Sequence, residues 1–464
     1  MNEMTRQSTR IAAGMLLAMV ARRTTDNANV ADVAVVGLGK IGLPLAAHFA
    51  AKGLAVIGCD INPDVVAAVN AGRSHIREEA GLEEAVAQAV AAGRLRATTD
   101  TKGAVAGAAT IILIVPLLAD REHNIDYRLL DAATKASGSG LNLNCLVICE
   151  TTVPVGTTRN HITPLLEETS GLRAGRDFHV AFSPERLYAG RIFEDLRRYP
   201  KIVGGIDQAS TEKATDFYRR ALDAEIWPVE NAETAEFAKL AETTYRDVNI
   251  ALANELAIYG AARQVNVTEA FRAANSQPYS HLHGASIGVG GHCIPVYPHF
   301  LLADATKEEL KLPRISRAVN DGMAARSIDE LEAVLGGLEG RRVLVLGVSY
   351  REDVKEVAFT TAIPLVELLK RKDAHVLVHD PLFTPAELAA LEAEIADLES
   401  GQPIDVDAVI VQAFHRNYRD LDWSRFRGLK VVFDGRGMVD PEMIRRVGAR
   451  YLAVGIAGVS PTRD

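Results

Sequence analysis

Cysteine is scarce in this chain. Four cysteines occur in 464 residues, at positions 59, 145, 149 and 293. They are too few and too unevenly spaced for a disulfide scaffold, and none belongs to a His/Cys cluster with the spacing of a zinc site. We therefore expect no bound metal and a reducing, cytoplasmic setting.

Positive charge is also in short supply. The 51 Lys and Arg residues are outnumbered by 60 Asp and Glu residues, which gives a net charge of -9 at pH 7. A protein that binds nucleic acid usually carries a basic face, so nucleic acid is not an expected partner. An anionic substrate would be held by a few local Arg and Lys side chains.

Long hydrophobic runs are missing as well. The apolar run at 11–21 is too short to span a membrane, so no membrane partner is expected. It resembles a signal peptide, but an arginine pair follows it directly and no small-residue cleavage site is evident. We expect residues 1–29 to be an extension with an additional amphipathic helix, or the result of a start codon placed too early; export is the alternative.

The chain is long enough for two or three domains. Over 30–229, short apolar runs alternate with Ala-rich helical stretches, which predicts a parallel sheet covered on both faces. Over 230–338 the pattern is helical, and over 339–464 a second βα alternation follows. The predicted fold class is α/β, with two Rossmann-like doubly wound domains joined by a helical central domain. The runs that predict strands are 33–36, 55–58, 111–115, 146–148, 343–346, 375–378, 408–411 and 430–433.

A dinucleotide fingerprint follows the first predicted strand. Gly37 permits a tight turn, Gly39 lets the backbone approach a pyrophosphate at a helix N-terminus, and Gly42 allows close helix packing. Asp60 closes the next strand about twenty residues further on, where it would bind a ribose diol and repel a 2′-phosphate. This arrangement predicts NAD as the cofactor. The predicted cofactor-binding residues here are Gly37, Gly39, Lys40, Ile41, Gly42 and Asp60.

Cys293 follows the glycine-rich stretch 288–291. Glycines allow a ligand to approach the backbone closely, and a thiolate can add to an aldehyde. The resulting thiohemiacetal can lose a second hydride and leave a thioester for hydrolysis. Cys293 is therefore the candidate nucleophile, whereas the other three cysteines lie in or beside predicted strands and are expected in the core.

With these motifs the chain, from about Val33 to Gly455, resembles the UDP-glucose/GDP-mannose dehydrogenase family. The resemblance implies oxidation of the C6 alcohol of a nucleotide sugar to a carboxylate with two NAD. It also implies that the N-terminal domain holds NAD, that the middle helix forms the core of a homodimer, and that the C-terminal domain binds the nucleotide of the sugar.

Three further catalytic residues come from this resemblance. Thr152, within the stretch 150–156, matches a threonine that helps to place the catalytic water, next to the cofactor. Glu185, within 183–186, matches a glutamate thought to act as a base, and Lys239 matches a lysine that would stabilise the alkoxide and oxyanion. Both are also expected to contact the substrate. Without the resemblance, Thr152 would be read as a helix cap and Lys239 as a solvated helix residue.

Two positions depart from the family pattern. Thr243 stands where an asparagine is usual, and Tyr297 stands where an aspartate is usual. Tyrosine cannot act as a carboxylate base at neutral pH, so the departures bear on thioester hydrolysis. Either Glu185 carries more of that step or the surroundings of the thiol are rebuilt.

The C-terminal half offers two arginines for the substrate. Arg351, in 347–351, resembles a basic residue of the family that contacts the nucleotide of the substrate, and Arg436 lies in 434–436, which resembles a stretch that carries an arginine in many members. Guanidinium groups bind a diphosphate through paired hydrogen bonds. The neighbouring segment 356–360 departs from the family pattern, and ordinary surface charge is the alternative for Arg351.

The stretch 245–256 looks like the N-acetylhexosamine branch of the family. This favours UDP-N-acetylmannosamine or UDP-N-acetylglucosamine as the substrate. Arg246 and Asn249 lie on nearly one helix face and would contact the acetamido group or a partner subunit, or form a structural network. Gly290, in the glycine stretch, is the remaining predicted substrate contact.

Two other functions stay open. UDP-glucose 6-dehydrogenase is the alternative within the family. A subunit that binds NAD and nucleotide sugar but is catalytically impaired is the alternative of another class, and the departures at Thr243 and Tyr297 motivate it.

Overall fold

A computed structural model describes residues 31–120, 124–188 and 190–456. The predicted extension 1–29 lies outside the described residues. The chain divides into two compact units, 1–239 and 240–464, and the division falls within one long helix, Ala232–Ala261. The three-part division predicted from the sequence stays a prediction beside this one.

The first unit alternates strands and helices. Its strands are β1 Ala31–Val36, β2 Val56–Cys59, β3 Leu95–Thr98, β4 Ala108–Leu113, β5 Leu118–Ala119, β6 Ile125–Asp126, β7 Leu146–Cys149, β8 His179–Phe182, β9 Lys201–Gly205 and β10 Ile226–Pro228. Its helices are α1 Gly42–Ala51, α2 Pro63–Asn70, α3 Leu82–Ala91, α4 Thr101–Val105, α5 Arg128–Gly138, α6 Thr163–Ser170, α7 Ile192–Arg198 and α8 Gln208–Ala221, with a π-helical turn Thr158–Ile162 before α6 and the start of α9 Ala232–Ala261 at its end.

Among the described residues of this unit, eight strands form one sheet in the order β10-β9-β8-β7-β4-β1-β2-β3. Six neighbouring strands of this sheet are parallel to one another, namely β8, β7, β4, β1, β2 and β3. The strand order reverses around β1, as in a doubly wound sheet. The central strands are apolar and buried because helices cover both faces. The predicted fold class is confirmed for this half.

Two strands at one edge, β9 and β10, run against the expectation of an all-parallel sheet, because β10 pairs parallel with β9. β9 pairs antiparallel with β8, with Ala181 opposite Gly205. In the described residues of the connection between β8 and β9, the one helix is the short α7, and an antiparallel return needs no full helical crossover.

The second unit holds most of α9 and a second sheet. Its strands are β11 Arg342–Leu346, β12 His375–His379, β13 Glu394–Ile395, β14 Ile404–Asp405, β15 Ala408–Val411, β16 Phe426–Arg427, β17 Val431–Asp434 and β18 Arg450–Ala453. Its further helices are α10 Val267–Ala274, α11 Tyr297–Leu302, α12 Lys311–Leu335, α13 Ala362–Arg371, α14 Pro385–Leu388 and α15 Pro441–Arg446, with 3₁₀ turns at Ala389–Leu391, Arg416–Tyr418 and Trp423–Arg425.

Six of these strands form a parallel sheet in the order β13-β12-β11-β15-β17-β18, counted within the described part of the unit. The order again reverses beside the first strand of the repeat, here β11, which confirms a second Rossmann-like domain. Polar side chains join the two long helices of this unit: Arg317 of α12 pairs with Asp247 of α9 at 2.5 Å, and Asn320 donates to the same carboxylate at 2.8 Å. The predicted helical segment is therefore present.

Candidate functional site

The fingerprint turn of the first unit requires its glycines. Gly37 has φ +103°, and a Cβ there would lie 2.6 Å from the carbonyl oxygen of Ile114. A Cβ on Gly42 would lie 1.9 Å from the carbonyl oxygen of Gly37. These two glycines let β1 turn sharply into α1 at the end of the sheet, where a doubly wound fold binds its ligand.

Gly39 lies beside open space in the fingerprint turn. A Cβ on Gly39 would meet nothing within 4 Å, and Gly39 and Lys40 are exposed whereas Ile41 is half-buried. Ile41 provides no side-chain cap for α1, which begins at Gly42. The first backbone N–H groups of α1 can therefore receive the pyrophosphate of a dinucleotide.

Asp60 is held in place by backbone donors. Its Oδ2 accepts from Leu38 N at 3.0 Å, and its Oδ1 accepts from Asn62 N at 2.9 Å. The carboxylate stays half-buried, at the end of β2 beside the fingerprint turn. Its position and charge fit the ribose of NAD, so the residues present fit the predicted cofactor.

Thr152 lies in a buried loop after β7. Its side chain is 7% exposed, and the neighbouring Thr151 donates its hydroxyl to Val115 O at 2.6 Å. Glu236 of α9 accepts from Gly156 N at 2.6 Å and from Thr158 N at 2.8 Å, which ties the far end of the loop to α9. Burial raises the pKa of Glu236 to about 7, against the opposing effect of these hydrogen bonds. Sequence reasoning missed Glu236.

Glu185 belongs to a buried cluster of charges. Lys201, the first residue of β9, donates to Glu185 Oε1 and lies 3.3 Å from Glu150 Oε2. Tyr218 of α8 donates its hydroxyl to Glu150 Oε1. Burial raises the pKa of Glu150 and lowers that of Lys201; the charge of Lys239 lowers the latter further. The structure therefore brings the predicted residues Glu185 and Lys239 near the same ammonium group.

Sequence reasoning also missed Lys201, Glu150 and Tyr218. The available signal was a lysine at the start of an otherwise apolar strand, because a charged group at such a position is buried only when it is paired.

In the second unit, Cys293 is the exposed member of the four cysteines, all of which are described. Its carbonyl oxygen accepts from Tyr297 N at 2.9 Å, which places it one turn ahead of α11. Burial raises the pKa of Cys59 and of Cys145 to about 12 and raises that of Cys149 as well. The three thiols expected in the core are there, and the expected nucleophile is the one that solvent can reach. Tyr297 is half-buried, with its ring centroid 5.4 Å from that of Phe300.

The glycines before Cys293 pack against the chain itself. A Cβ on Gly290 would lie 2.7 Å from Cβ of Tyr350 and 2.8 Å from the carbonyl oxygen of Phe359. A Cβ on Gly288 would lie 2.6 Å from Oγ1 of Thr361. The space that the sequence suggested for a ligand is thus filled here by residues of the loop before α13, so the substrate contact of Gly290 stays a prediction.

Arg436 is occupied by backbone carbonyls. Its Nε donates to Gln412 O at 2.5 Å, its Nη1 to Gly288 O at 3.0 Å and its Nη2 to Tyr350 O at 3.3 Å. Burial lowers its pKa, against the opposing effect of nearby carboxylates. In this arrangement the guanidinium holds the glycine stretch in place. Arg351 is half-buried and donates from Nε to the Tyr350 hydroxyl at 3.1 Å. The diphosphate role of both arginines stays a prediction.

Asn249 serves the loop that leads to Cys293. It donates to His281 O at 2.8 Å and accepts from His283 N at 3.1 Å. One helical turn further along, Asn254 accepts from Ser286 N at 2.9 Å. This geometry favours the structural network among the alternatives for Asn249. Arg246 is half-buried on the same helix, and its charge contributes to lowering the pKa of His283, for which burial is the larger cause.

The second sheet has its own ligand-type turn. Gly347 follows β11 with φ +84°, and a Cβ there would lie 2.3 Å from the carbonyl oxygen of Ala413. Asp380, after β12, accepts from Val348 N at 2.7 Å, from Ser349 N at 3.0 Å and from His415 at 2.9 Å. Burial acts to raise the pKa of Asp380, but these hydrogen bonds and the His415 charge lower it to about 2. This turn forms the crevice of a nucleotide-binding fold.

Within the described residues, we find no helix long and apolar enough to cross a membrane. The same residues contain no group of three or more His, Cys, Asp and Glu side chains placed to hold a metal ion.

Comparison with protein families gives three matches along the chain. The models of the UDP-glucose/GDP-mannose dehydrogenase family match residues 31–222 (NAD binding domain), 233–322 (central domain) and 344–441 (UDP binding domain). Together they cover most of the chain.

Individual relatives agree with this. A UDP-N-acetyl-D-mannosamine dehydrogenase of Pyrococcus horikoshii is 34% identical over 88% of this chain and 96% of its own length. An NDP-N-acetyl-D-galactosaminuronic acid dehydrogenase of Ralstonia solanacearum is 34% identical, with the same shares covered. The solved structure of a UDP-glucose dehydrogenase from Pyrobaculum islandicum matches with a TM-score of 0.82 and 30% identity, over 93% of this chain and all of that one (100%).

Proposed function

The chain belongs to the UDP-glucose/GDP-mannose dehydrogenase family of NAD-dependent nucleotide-sugar dehydrogenases, and we propose that it oxidises the C6 alcohol of a UDP-N-acetylhexosamine to the uronate. The oxidation removes four electrons and proceeds through a thioester on Cys293. One observation carries the proposal: of four thiols, the one that follows the glycine stretch is exposed and the other three are buried.

Two NAD molecules, when bound one after the other, would each accept one hydride from C6, the first from the alcohol and the second from the thiohemiacetal. The turn at Gly37, Gly39 and Gly42 would hold the pyrophosphate of each NAD against the N-terminus of α1. The carboxylate of Asp60 would bind the ribose diol and disfavour a 2′-phosphate. Lys40 and Ile41 complete the turn.

The thiol divides the second oxidation into two steps. Cys293 Sγ bonds to C6 of the aldehyde while a proton moves to the sugar oxygen, and loss of the C6 hydride and of that hydroxyl proton then leaves the thioester. In hydrolysis the oxygen of water bonds to C6, the C–S bond breaks and the thiol regains its proton. Overall, one alcohol, two NAD and one water give one carboxylate, two NADH and three protons.

Three residues of the first unit support the charge and water in these steps. We assign Lys239 to the developing alkoxide and oxyanion, because an ammonium group in a buried position stabilises such charge. Glu185 is the base that takes a proton from water, and Thr152 helps to place that water and contacts the cofactor. With Tyr297 at the position usually held by aspartate, Glu185 is the carboxylate assigned to hydrolysis.

The substrate is the finer part of the proposal. Two of the relatives described above are named as dehydrogenases of N-acetyl sugars, which supports UDP-N-acetylmannosamine or UDP-N-acetylglucosamine here. Arg246, Asn249, Gly290, Arg351 and Arg436 are its proposed contacts in the second unit. The likeness to a UDP-glucose dehydrogenase keeps UDP-glucose as the second candidate.

We also propose a homodimer in a reducing cytoplasm. The long helix α9 exposes large apolar side chains at spacings that place them on one face, which suits association with a second copy. These side chains are Tyr245, Leu252, Leu256 and Tyr259. Sedimentation of the parent and of Leu252→Lys tests this: the parent is expected at twice the chain mass and the variant at the chain mass.

The decisive experiment counts NADH per nucleotide sugar consumed. Purified protein receives NAD with UDP-N-acetylmannosamine, UDP-N-acetylglucosamine or UDP-glucose, and we expect about two NADH on an acetamido sugar. Cys293→Ala is expected to abolish the second oxidation, whereas the matched control Cys145→Ala, which removes a buried thiol, retains it.

The other outcomes separate the alternatives. Two NADH on UDP-glucose alone would identify the second candidate. A burst that stalls would place the defect at thioester hydrolysis and implicate Tyr297. Binding of NAD and sugar without turnover would indicate a binding subunit, and a Cys293→Ala variant as fast as its parent would contradict the covalent step.

A further inference from the structure

Lys201 occupies an unusual place in the first unit. It is the first residue of β9 and its side chain is 6% exposed. Its ammonium group contacts two carboxylates from different strand ends, Glu185 after β8 and Glu150 after β7, at 3.3 Å for the latter. It also lies 4.9 Å from the ring centroid of Tyr218.

The partners of Lys201 are themselves buried. The side chain of Glu150 is fully buried and that of Glu185 is 11% exposed. A buried carboxylate stays ionised only when a cation or strong donors compensate for lost hydration. Glu150 has a second donor in the Tyr218 hydroxyl, so the two carboxylates depend unequally on Lys201.

Four titratable side chains therefore face the ammonium group, one from each surrounding element. They are Glu150 at the end of β7, Glu185 after β8, Tyr218 on α8 and Lys239 on α9. When all are ionised, the two carboxylates of this cluster are balanced by two ammonium groups, those of Lys201 and Lys239. Removal of either lysine leaves one buried carboxylate without compensation.

We propose that Lys201 is a positioning residue that keeps Glu185 ionised and fixes one of its oxygens, while Glu150 and Tyr218 hold Lys201 in place. The proposal rests on the assignment of Glu185 as the base of hydrolysis. With Oε1 of Glu185 held by Lys201, Oε2 is the oxygen that takes the proton from water. The ammonium group itself does not touch the reacting atoms.

Because two carboxylates share one cation, two substitutions should act in opposite directions. Lys201→Met removes the cation, so Glu185 gains a proton more readily and the acid limb of kcat moves up by at least about one pH unit. Glu150→Gln removes the competing carboxylate, so Lys201 acts on Glu185 alone and the acid limb moves to lower pH. General damage to the fold would not produce shifts of opposite sign.

The experiment measures kcat and KM for the nucleotide sugar from pH 5 to pH 9 in the full-length enzyme. In Lys201→Met we expect kcat at pH 7 to fall about tenfold or more, with KM changed by less than about threefold, because the lost effect belongs to the chemical step. Lys201→Arg should restore most of kcat, since a guanidinium keeps the charge. Lys52→Met, which removes an exposed lysine from an ion pair with Asp223 in the same unit, is the matched control and should behave as the parent.

Glu185→Gln separates this proposal from the proposed function. If Glu185→Gln stalls after the second hydride while Lys201→Met keeps the parent's pH profile, the positioning role is overturned and the function stands. If Glu185→Gln turns over normally, both fail. Should Lys201→Met not fold, the shift in Glu150→Gln decides, and a shift to higher pH there would overturn the proposal.

Discussion

The two units contain the same turn built for different uses. Gly37 N donates to Cys59 O at 2.8 Å, and Gly347 N donates to His379 O at 2.8 Å. Each glycine has positive φ and leaves no room for a Cβ. In each unit an aspartate follows the second strand, Asp60 in the first unit and Asp380 in the second. Its carboxylate accepts from the backbone N–H of the residue after the glycine, Leu38 or Val348.

The surroundings of the two aspartates differ. Asp60 is half-buried, and its carboxylate accepts from the backbone N–H groups of Leu38 and Asn62. Asp380 is 2% exposed, and the buried His415 covers it. The first carboxylate can still meet a ribose, whereas the second stabilises its own turn. The aspartate of the first turn is thus placed for a ligand, whereas the aspartate of the second turn stabilises the turn itself.

The segments that follow the turns differ as well. The first turn enters α1 at Gly42, and Gly39 within it faces open space. The second continues through 348–361 before α13 and packs against Gly288 and Gly290. The segment after the second turn therefore holds the loop that carries Cys293. It fills the space beside Gly288 and Gly290 in that loop.

The strongest way to break the comparison is to add a methyl group to each turn. Gly37→Ala and Gly347→Ala should each destabilise their unit by about 2–5 kcal/mol, because strain at positive φ adds to overpacking. Calorimetry should show that Gly37→Ala loses NADH binding and retains UDP binding, and that Gly347→Ala does the reverse. Loss of both ligands in either variant would contradict the separation of roles.

The paired aspartates give the next effect. Asp380→Asn should lower the free energy of unfolding by about 3 kcal/mol, since an amide places a donor against backbone donors. Asp60→Asn should cost less than about 1 kcal/mol but weaken NAD binding about tenfold. Urea unfolding followed by Trp423, which is 3% exposed, in a Trp227→Phe background measures the first. Equal destabilisation by both would remove the distinction.

The sharpest contrast in pH dependence involves Glu236 and Asp380. Burial raises the pKa of Glu236 from 4.5 to about 7. The contribution of Glu236 to the free energy of unfolding is therefore complete below pH 4.5 and is lost as pH rises through 7. The pKa of Asp380 is lowered from 3.8 to about 2. The contribution of Asp380 to the free energy of unfolding is therefore present above pH 3.8 and is lost as pH falls toward 2.

Glu236→Gln should remove the pH dependence around neutrality. Hydrogen exchange of the peptide 153–162, corrected for the intrinsic rate, should show protection that falls from pH 5 to pH 8 in the parent and stays level in the variant. The net change at pH 7 should stay below about 2 kcal/mol, because loss of one N–H acceptor opposes removal of a buried charge. Asp380→Asn, as the control, should keep the parent's slope over this range.

Local patterns were enough to predict much of the fold. The eight apolar runs between 33 and 433 predict strands because buried parallel strands are continuous apolar runs. The fingerprint turn is predictable because the positive φ of Gly37 and the approach of Gly42 to the Gly37 carbonyl are set within a few residues. The antiparallel β9 was missed, since the direction of a strand depends on its distant neighbour β8.

The site was predicted less completely for the same reason. Cys293 stands beside its glycines in the sequence, but Lys201 meets Glu150 only after β7 and β9 enter one sheet. The charge of Arg436 predicts a contact with a diphosphate. Its hydrogen-bond partners in the structure are backbone carbonyl oxygens, which residues of any type supply. When a side chain contacts backbone atoms far away in the sequence, the residue types at those positions do not predict the contact.

The stretch 280–293 contains no helix or strand, yet it is held at several points. Asn249 and Asn254 fix its first half through their side chains. The backbone carbonyl of Gly435 and the guanidinium of Arg436 fix its second half. Far-ultraviolet circular dichroism reports helices and strands, so it is blind to the release of this stretch. A preparation with an unchanged spectrum can thus have lost the placement of its thiol.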